Sequence, residues 1–216
     1  MKLLAVAGDI SSLIAGIRLV TPLQAVVQAQ GGSLVLRSLH DCTQADLAAA
    51  EVLVMQRGMS ARAWRLQLAM RLRGGAVVAE IDDLLTDLPA HISNHAAVHA
   101  QRRWIERCLT TADVVSVSTA RLGQELRADL GIWRARIALA ARAAVRERHT
   151  PAHTVAAWQV ALDEAMQGRV RAVLAPPTWR WRWLAAASAA WEPAALRLRA
   201  LNRARLARRQ QARRSG

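Results

Sequence analysis

The side chains best suited to chemistry fall directly after short apolar runs of the chain. They are Asp9 after Lys2–Ala7, Arg57 and Gly58 after Val52–Met55, Asp82 and Asp83 after Ala76–Ile81, and Ser118 and Thr119 after Val114–Val117. Carboxylates accept hydrogen bonds from sugar hydroxyls, and a guanidinium can fork onto a phosphate or a carboxylate. A glycine lets a ligand approach the backbone, and hydroxyl residues before a helix lie beside N–H groups that favour an anion. These residues are therefore candidate substrate-binding residues.

Asp82 and Asp83 are the candidates for catalysis. In one interpretation they are cleft carboxylates that orient a substrate hydroxyl or act as a general base. In the other they form a turn and cap nearby N–H groups. Arg57 has a similar pair of interpretations, a ligand contact or a salt bridge to either aspartate. Asp9 either contacts a sugar or phosphate or belongs to an ordinary turn.

The histidines and cysteines do not have the spacing that is typical of metal ligands. His91, His95 and His99 are spaced by four residues, so we expect them to share a helix face. Zinc is not favoured there because no HExxH motif and no acidic ligand set accompany them, and we predict no metal site. His91, the nearest of the three to Asp83 in sequence, is the one expected to touch a substrate. The two cysteines lack ligand spacing and are interpreted as unreactive thiols of a reducing compartment.

Strand and helix signals alternate along the first 140 residues. Short apolar runs without internal alternation are typical of strands buried on both faces, and they are Lys2–Ala7, Ser33–Leu36, Val52–Met55, Ala76–Ile81, Val114–Val117 and Ile137–Ala140. Segments of helical periodicity separate them, and they are Ser11–Gln30, Thr43–Ala50, Ser60–Arg73, Ser93 to about Leu109, and Ser118–Leu130. This alternation predicts an α/β fold, a Rossmann-like parallel sheet covered by helices, with ligands bound beyond the carboxyl ends of the strands.

The pattern weakens after residue 140. We assign residues 1–140 to the Rossmann-like domain, 141–175 to a linker and partial second domain, and 176–216 to a helical basic tail. The middle region is predicted to hold a helix at Val155–Gln167 and a strand at Val170–Leu174. The tail interleaves Trp179, Trp181 and Trp183 with arginines, and residues 169–216 carry twelve basic residues and one acidic residue of a chain with net charge +14.

Several functional classes lack their motifs. No G-x-G-x-x-G follows the first run and no P-loop motif occurs, so the usual dinucleotide and nucleoside-triphosphate sites are not favoured. No stretch reaches the roughly 18 apolar residues of a spanning helix. Gly8 and Asp9 interrupt the N-terminal apolar run before it has the length of a signal peptide. We therefore expect a cytoplasmic protein, either free or peripheral on the inner face of the membrane.

Three strings in sequence resemble the N-terminal domain of bacterial GT-B glycosyltransferases: EVLVMQRG, GGAVVAEIDDLLTDLP and TADVVSVSTARLGQEL. The resemblance covers residues 1–140. It implies transfer of a sugar from a nucleotide-sugar to a saccharide or lipid-linked acceptor, in cell-envelope synthesis and without a further cofactor. It also implies that this domain binds the acceptor, with Asp82, Asp83, Arg57 and His91 on the acceptor side of the cleft.

The expected donor half is not evident in the sequence. Two domains of this class need about 300 residues at roughly 150 each, and no Glu-x7-Glu pair follows the string RVRAVLAPPTW. We therefore expect either a partner chain that carries the donor-binding domain or a truncated or degenerate relative. The alternative function is an interaction module that binds nucleic acid or an anionic surface through the basic tail. Nucleic acid is the less favoured partner.

Overall fold

A parallel sheet forms the centre of the computed structural model, which describes residues 1–130, 136–138 and 151–172. Five strands lie in the order β2-β1-β3-β4-β5, and a short sixth strand pairs with β5. The strands are β1 (Lys2–Ala7), β2 (Ser33–Ser38), β3 (Val52–Gln56), β4 (Ala76–Ile81), β5 (Val114–Val117) and β6 (Arg136–Ala138). The predicted Rossmann-like α/β sheet is confirmed. Its strand order reverses between β1 and β3, which makes that crevice the topological switch point.

Helices connect the strands and cover both faces of the sheet. They are α1 (Leu13–Ala15), a π-helical turn (Gly16–Val20), α2 (Thr21–Gln30), α3 (Gln44–Ala49), α4 (Ala61–Leu72), α5 (His95–His99), α6 (Arg102–Thr111), α7 (Ala120–Leu130) and α8 (Pro151–Ala172). Local signals fix several ends. Thr43 and Asp46 form a capping box at α3. Ser60 caps α4, and Gly31 ends α2 in the left-handed conformation.

Two apolar layers hold the helices on the sheet. On the first face, which we call the α4/α6 face, the sheet packs against residues that include Leu66, Met70, Ile105 and Leu109. On the second, the α2/α8 face, it packs against residues that include Leu19, Leu23, Val26, Trp158 and Leu162. Because α8 supplies side chains to this second layer, residues 151–172 complete the α/β unit.

Three local expectations are wrong. The predicted helix Ser11–Gln30 is interrupted by the π-helical turn, where the Thr21 N–H bonds to the Gly16 carbonyl. Pro22 directly follows and has no N–H to continue the α-helical ladder. The predicted strand at Val170–Leu174 is helical in its described part, because the Ala-rich segment continues α8.

The histidine face is the third error. The helix expected from Ser93 to about Leu109 is two helices, and His91 lies before the first of them in an exposed turn. Only His95 and His99 share a helix, with their rings stacked 5.7 Å apart.

Some sequence-based predictions concern residues that the structure does not describe. The basic tail 176–216, with Trp179, Trp181 and Trp183, lies outside the described residues, as do residues 139–150. Among the helices that the structure describes, none has the length and apolar character to cross a bilayer.

Candidate functional site

Charged side chains gather at the carboxyl ends of β3 and β4, beside the switch point. Arg57 follows β3, Asp82 and Asp83 follow β4, and Glu80 is the penultimate residue of β4. Arg18 reaches the same place from the π-helical turn, which lies on the α2/α8 face. The five side chains form what we call the strand-end cluster. Ligands of open parallel sheets bind at this edge, so the cluster occupies the expected position for a binding site.

Arg57 clamps the two aspartates. Its Nε lies 2.5 Å from Oδ1 of Asp82, and its Nη2 lies 2.6 Å from Oδ2 of the same carboxylate. Nη2 also lies 2.7 Å from Oδ2 of Asp83. The salt bridges from Arg57 to the two aspartates, which were one of its two sequence-based interpretations, are therefore present. Asp82 uses both oxygens in the clamp, whereas Asp83 is 57% exposed at its side chain and can still accept a hydrogen bond from a ligand.

The backbone of Arg57 is strained. Its φ is 46°, and no other non-glycine residue among those described has a positive φ. Its N–H donates to the Glu80 carbonyl at 2.8 Å, which extends the pairing of β3 and β4 by one step. Left-handed backbone costs a non-glycine residue roughly 1–2 kcal/mol, and such conformations concentrate at functional sites.

Arg18 holds the buried carboxylate of Glu80. Its Nε lies 2.8 Å and its Nη2 2.5 Å from the same oxygen, Oε1. The other oxygen, Oε2, is buried. Burial raises the pKa of Glu80, and the charge and hydrogen bonds of Arg18 offset only part of this effect. The negative charge of Asp82 raises the pKa further, and a hydrogen bond from the Gln56 side chain lowers it.

A buried polar row crosses the sheet beneath this cluster. Gln56 on β3 pairs in register with Glu80 on β4, which pairs in register with Ser116 on β5. Register partners in a sheet share a face, and strand alternation places all three on the α2/α8 face. Their exposed fractions are 5%, 1% and 2%. The side chain of Gln56 hydrogen-bonds to the Glu80 carboxylate beside it.

Other predicted site residues make hydrogen bonds to groups within the protein. Asp9 is exposed, and its Oδ1 accepts from the backbone N–H and the hydroxyl of Ser11, which lowers the pKa of Asp9. The Ser118 hydroxyl donates to the Asp82 carbonyl at 2.8 Å. Thr119 accepts from the Leu122 N–H and so caps α7. Each of these residues supports the loop that carries it, and His91 is exposed in the turn before α5.

Gly58 faces the protein interior. A Cβ at this position would lie 2.9 Å from the Cys108 sulfur and 3.1 Å from its Cβ. The glycine is therefore required by packing against α6. Cys108 and Cys42 are both buried, and burial raises the pKa of Cys108 to about 12.

The described residues contain no group of three or more histidine, cysteine or acidic side chains placed to hold a metal ion. The strand-end cluster presents carboxylates and guanidinium groups. Three carboxylates face two guanidinium groups in the strand-end cluster, and Asp9 adds a fourth carboxylate at the end of β1. This balance favours a neutral, hydrogen-bonding ligand over a phosphate.

Arg18 and Glu80 were missed as site residues, although the sequence carried a signal. Glu80 is the one charged residue in the apolar run AVVAEI, and Arg18 is the one charged residue between Ile10 and Gln30. A charge in a buried strand needs a partner. Two isolated charges of opposite sign, each in an apolar segment, are therefore candidates for a salt bridge with each other.

Comparisons of the chain with protein-family models, with curated proteins and with solved structures find no match.

Proposed function

We propose that this domain binds a saccharide at the strand-end cluster, as the acceptor-binding part of a glycosyltransferase-type protein. The observation that carries the proposal is the clamp of Arg57 on Asp82 and Asp83 at the carboxyl edge of a parallel sheet. Asp83 leaves one carboxylate oxygen outside the clamp, and carboxylates are suitable acceptors for sugar hydroxyls.

The charge balance supports an acceptor over a nucleotide at this place. A nucleoside diphosphate would bring negative charge beside three carboxylates, and the Arg57 guanidinium is already bound to two of them. A neutral saccharide requires no such rearrangement. A nucleotide-sugar would be the second substrate of the reaction.

Within this proposal the two aspartates have different roles. Asp82 is held at both oxygens and positions Arg57, so it is a positioning residue. Asp83 is the exposed carboxylate and is the candidate to accept the proton of the attacking acceptor hydroxyl. This refines the sequence-based expectation, which treated the pair alike.

The test is calorimetric titration of the full chain with neutral di- and trisaccharides of gluco, manno and galacto configuration, with UDP- and GDP-sugars, and with inorganic phosphate. We expect a saccharide to bind, and Asp83→Asn to weaken that binding about tenfold through loss of a charge-assisted hydrogen bond. Asp87→Asn changes an exposed aspartate of the same loop and is the matched control. Release of nucleoside diphosphate from a nucleotide-sugar when the bound saccharide is added would establish transfer.

Binding of phosphate or nucleotide without any saccharide binding would overturn the proposal. An equal loss of saccharide affinity in Asp83→Asn and Asp87→Asn would remove Asp83 from the site.

A further inference from the structure

Exposed arginines without a carboxylate partner collect on the outer side of α4 and α6. Each helix carries three arginines, and the two helices together contain one acidic residue, Glu106. Glu106 is bound to Arg102, and Asp113, which follows α6, is bound to Arg71. The exposed arginines of this region that form no ion pair within the described part of the chain are Arg65, Arg73, Arg103 and Arg107. The region therefore has a surplus of positive charge that the described carboxylates do not neutralise.

Two of these arginines lie over tryptophan rings where α4 meets α6. The guanidinium carbon of Arg107 lies 5.0 Å from the ring centroids of both Trp64 and Trp104, and that of Arg103 lies 4.6 Å from the centroid of Trp104. The two ring centroids are 5.9 Å apart, and Trp64 Nε1 donates to the Thr111 hydroxyl at 3.1 Å, which ties α4 to α6. We call these two tryptophans and two arginines the arginine–tryptophan patch. Cation–π contacts restrict the guanidinium groups before a ligand arrives, so binding costs less conformational entropy.

A single strand of nucleic acid offers both kinds of group that this patch can bind. Guanidinium N–H groups donate to phosphate oxygens, and bases stack on aromatic rings and on guanidinium planes. Arg103 and Arg107 are four residues apart, about 6 Å along the helix axis, so they can contact neighbouring phosphates of one strand. Trp104 is only half-buried, so part of its ring remains accessible beside them.

An anionic membrane suits the charge of the patch but not its other features. Peripheral helices bind a bilayer by inserting large apolar side chains. The exposed large apolar side chains in the described part of the chain all lie outside α4 and α6, and they are Leu13, Ile14, Ile17, Ile92 and Val160. An acidic peptide would satisfy the guanidinium groups but has no base to stack beside Trp104. The combination of exposed arginines with aromatic rings therefore favours nucleic acid.

We propose that the arginine–tryptophan patch binds single-stranded nucleic acid, with Arg103 and Arg107 on the phosphates and the Trp104 ring beside a base. Arg65 and Arg73 extend the positive surface along α4. This activity goes beyond the proposed function and does not depend on it, because no residue of the patch belongs to the strand-end cluster. It also differs from the sequence-based alternative, which placed anion binding in the basic tail.

The experiment measures the fluorescence anisotropy of a labelled oligothymidine of about 12 nucleotides, within the usual size of single-strand sites, with the full chain at several salt concentrations. Arg103→Gln/Arg107→Gln removes both charges of the patch. Arg121→Gln/Arg127→Gln is the matched control, since it removes the same charge from exposed positions of α7, a helix without tryptophan. The basic tail is present in every chain, so the difference between the two variants reports the patch alone.

We expect the wild-type chain to bind oligothymidine and Arg103→Gln/Arg107→Gln to bind it about tenfold more weakly. The slope of log affinity against log salt concentration should fall in magnitude by about 1.4, which corresponds to two phosphate contacts on a single strand. The control variant should keep the wild-type affinity and slope. An abasic strand of the same length should bind the wild-type chain more weakly than oligothymidine, and Trp104→Leu should reduce that difference.

Three results would overturn the proposal. The first is absence of oligothymidine binding by the wild-type chain, and the second is equal affinity of the two double variants. The third is equal binding of oligothymidine, the abasic strand and polyglutamate, which would show a surface for any polyanion. Patch-dependent binding of phosphatidylglycerol vesicles without binding of oligothymidine would assign the surface to a membrane instead.

Circular dichroism establishes whether both double variants fold. Should Arg103→Gln/Arg107→Gln fail to fold, chemical modification of the wild-type chain by phenylglyoxal, mapped by mass spectrometry, makes the same comparison. Oligothymidine must then protect Arg103 and Arg107 from the reagent and leave the reactivity of Arg121 and Arg127 unchanged. Equal protection of the two pairs would contradict a site at the patch.

Discussion

The guanidinium of Arg57 holds both carboxylate oxygens of Asp82 and thereby joins the ends of two adjacent strands, β3 and β4. Two parallel N–H donors on one group are a property of arginine that lysine does not have. The same guanidinium also bonds to Asp83, and the Arg57 backbone is held at a positive φ. The strained backbone therefore persists because three side-chain bonds and one backbone bond fix it.

Replacing Arg57 by lysine tests the importance of the two hydrogen bonds that its guanidinium donates to Asp82. Arg57→Lys keeps the charge and loses the two-point contact with Asp82, so we expect the free energy of unfolding to fall by about 1–2 kcal/mol for this partly buried pair. Urea denaturation measures the change. Arg121→Lys alters an arginine that pairs with Glu125 on the surface of α7 and is expected to have no measurable effect. Equal effects at the two positions would show that the clamp contributes no more than a surface ion pair.

Gly58 gives a prediction about packing. A methyl group there would meet the Cys108 sulfur at 2.9 Å and Met55 Cγ at 3.3 Å. We expect Gly58→Ala to lower the free energy of unfolding by about 1–3 kcal/mol through overpacking. The double variant Gly58→Ala/Cys108→Ala should recover part of that loss relative to the sum of the two single variants, because the second change removes the sulfur. Denaturant unfolding of all three variants measures the coupling.

The control for this cycle is Gly8→Ala. Gly8 also follows a strand, but a Cβ there would meet no atom within 4 Å, and its backbone is not left-handed. Stability close to wild type is expected. If Gly58→Ala were equally harmless, the packing explanation for Gly58 would be wrong.

The sheet could be predicted because the apolar runs that form its strands are compatible with few other structures. A run such as Val52–Met55 is apolar on both faces, and a strand covered by helices on both sides buries it fully. Ends marked by Gly31 or Ser60 were predictable for a local reason, since their conformations or caps involve neighbouring residues.

The site was only partly predictable, because its partners are distant in sequence. The strand-end rule located Arg57, Asp82 and Asp83. The pairing of Arg18 with Glu80 spans 62 residues and depends on the π-helical turn, which helical periodicity does not reveal. The packing role of Gly58 could not be predicted for a similar reason, since the sulfur that a Cβ would meet belongs to Cys108 on another helix.

The two cysteines give a prediction about reactivity. Both thiols are buried, and the pKa of Cys108 is raised to about 12 by burial. The thiolate is the reactive form, so we expect neither thiol to react with a disulfide reagent in the native protein at pH 8, and both to react at once in guanidinium chloride. Spectrophotometric titration with the reagent measures this. One thiol that reacts rapidly without denaturant would contradict the burial of that cysteine.

Glu80 links the stability of the domain to pH. Its pKa is raised in the folded protein from the ordinary value of 4.5, so the folded chain binds the proton more tightly than the unfolded chain does. The free energy of unfolding contributed by Glu80 therefore falls as pH rises from about 4.5 toward the raised value, and it stays constant above that value. Glu80→Gln keeps the side-chain shape and removes the titration. We expect the stability of the wild-type chain relative to Glu80→Gln to decrease across that window, measured by urea denaturation in steps of pH. Glu125→Gln makes the same substitution in an exposed ion pair and is the control for the effect of a Glu-to-Gln change. A wild-type advantage that grew with pH would mean that Arg18 more than offsets the burial of Glu80.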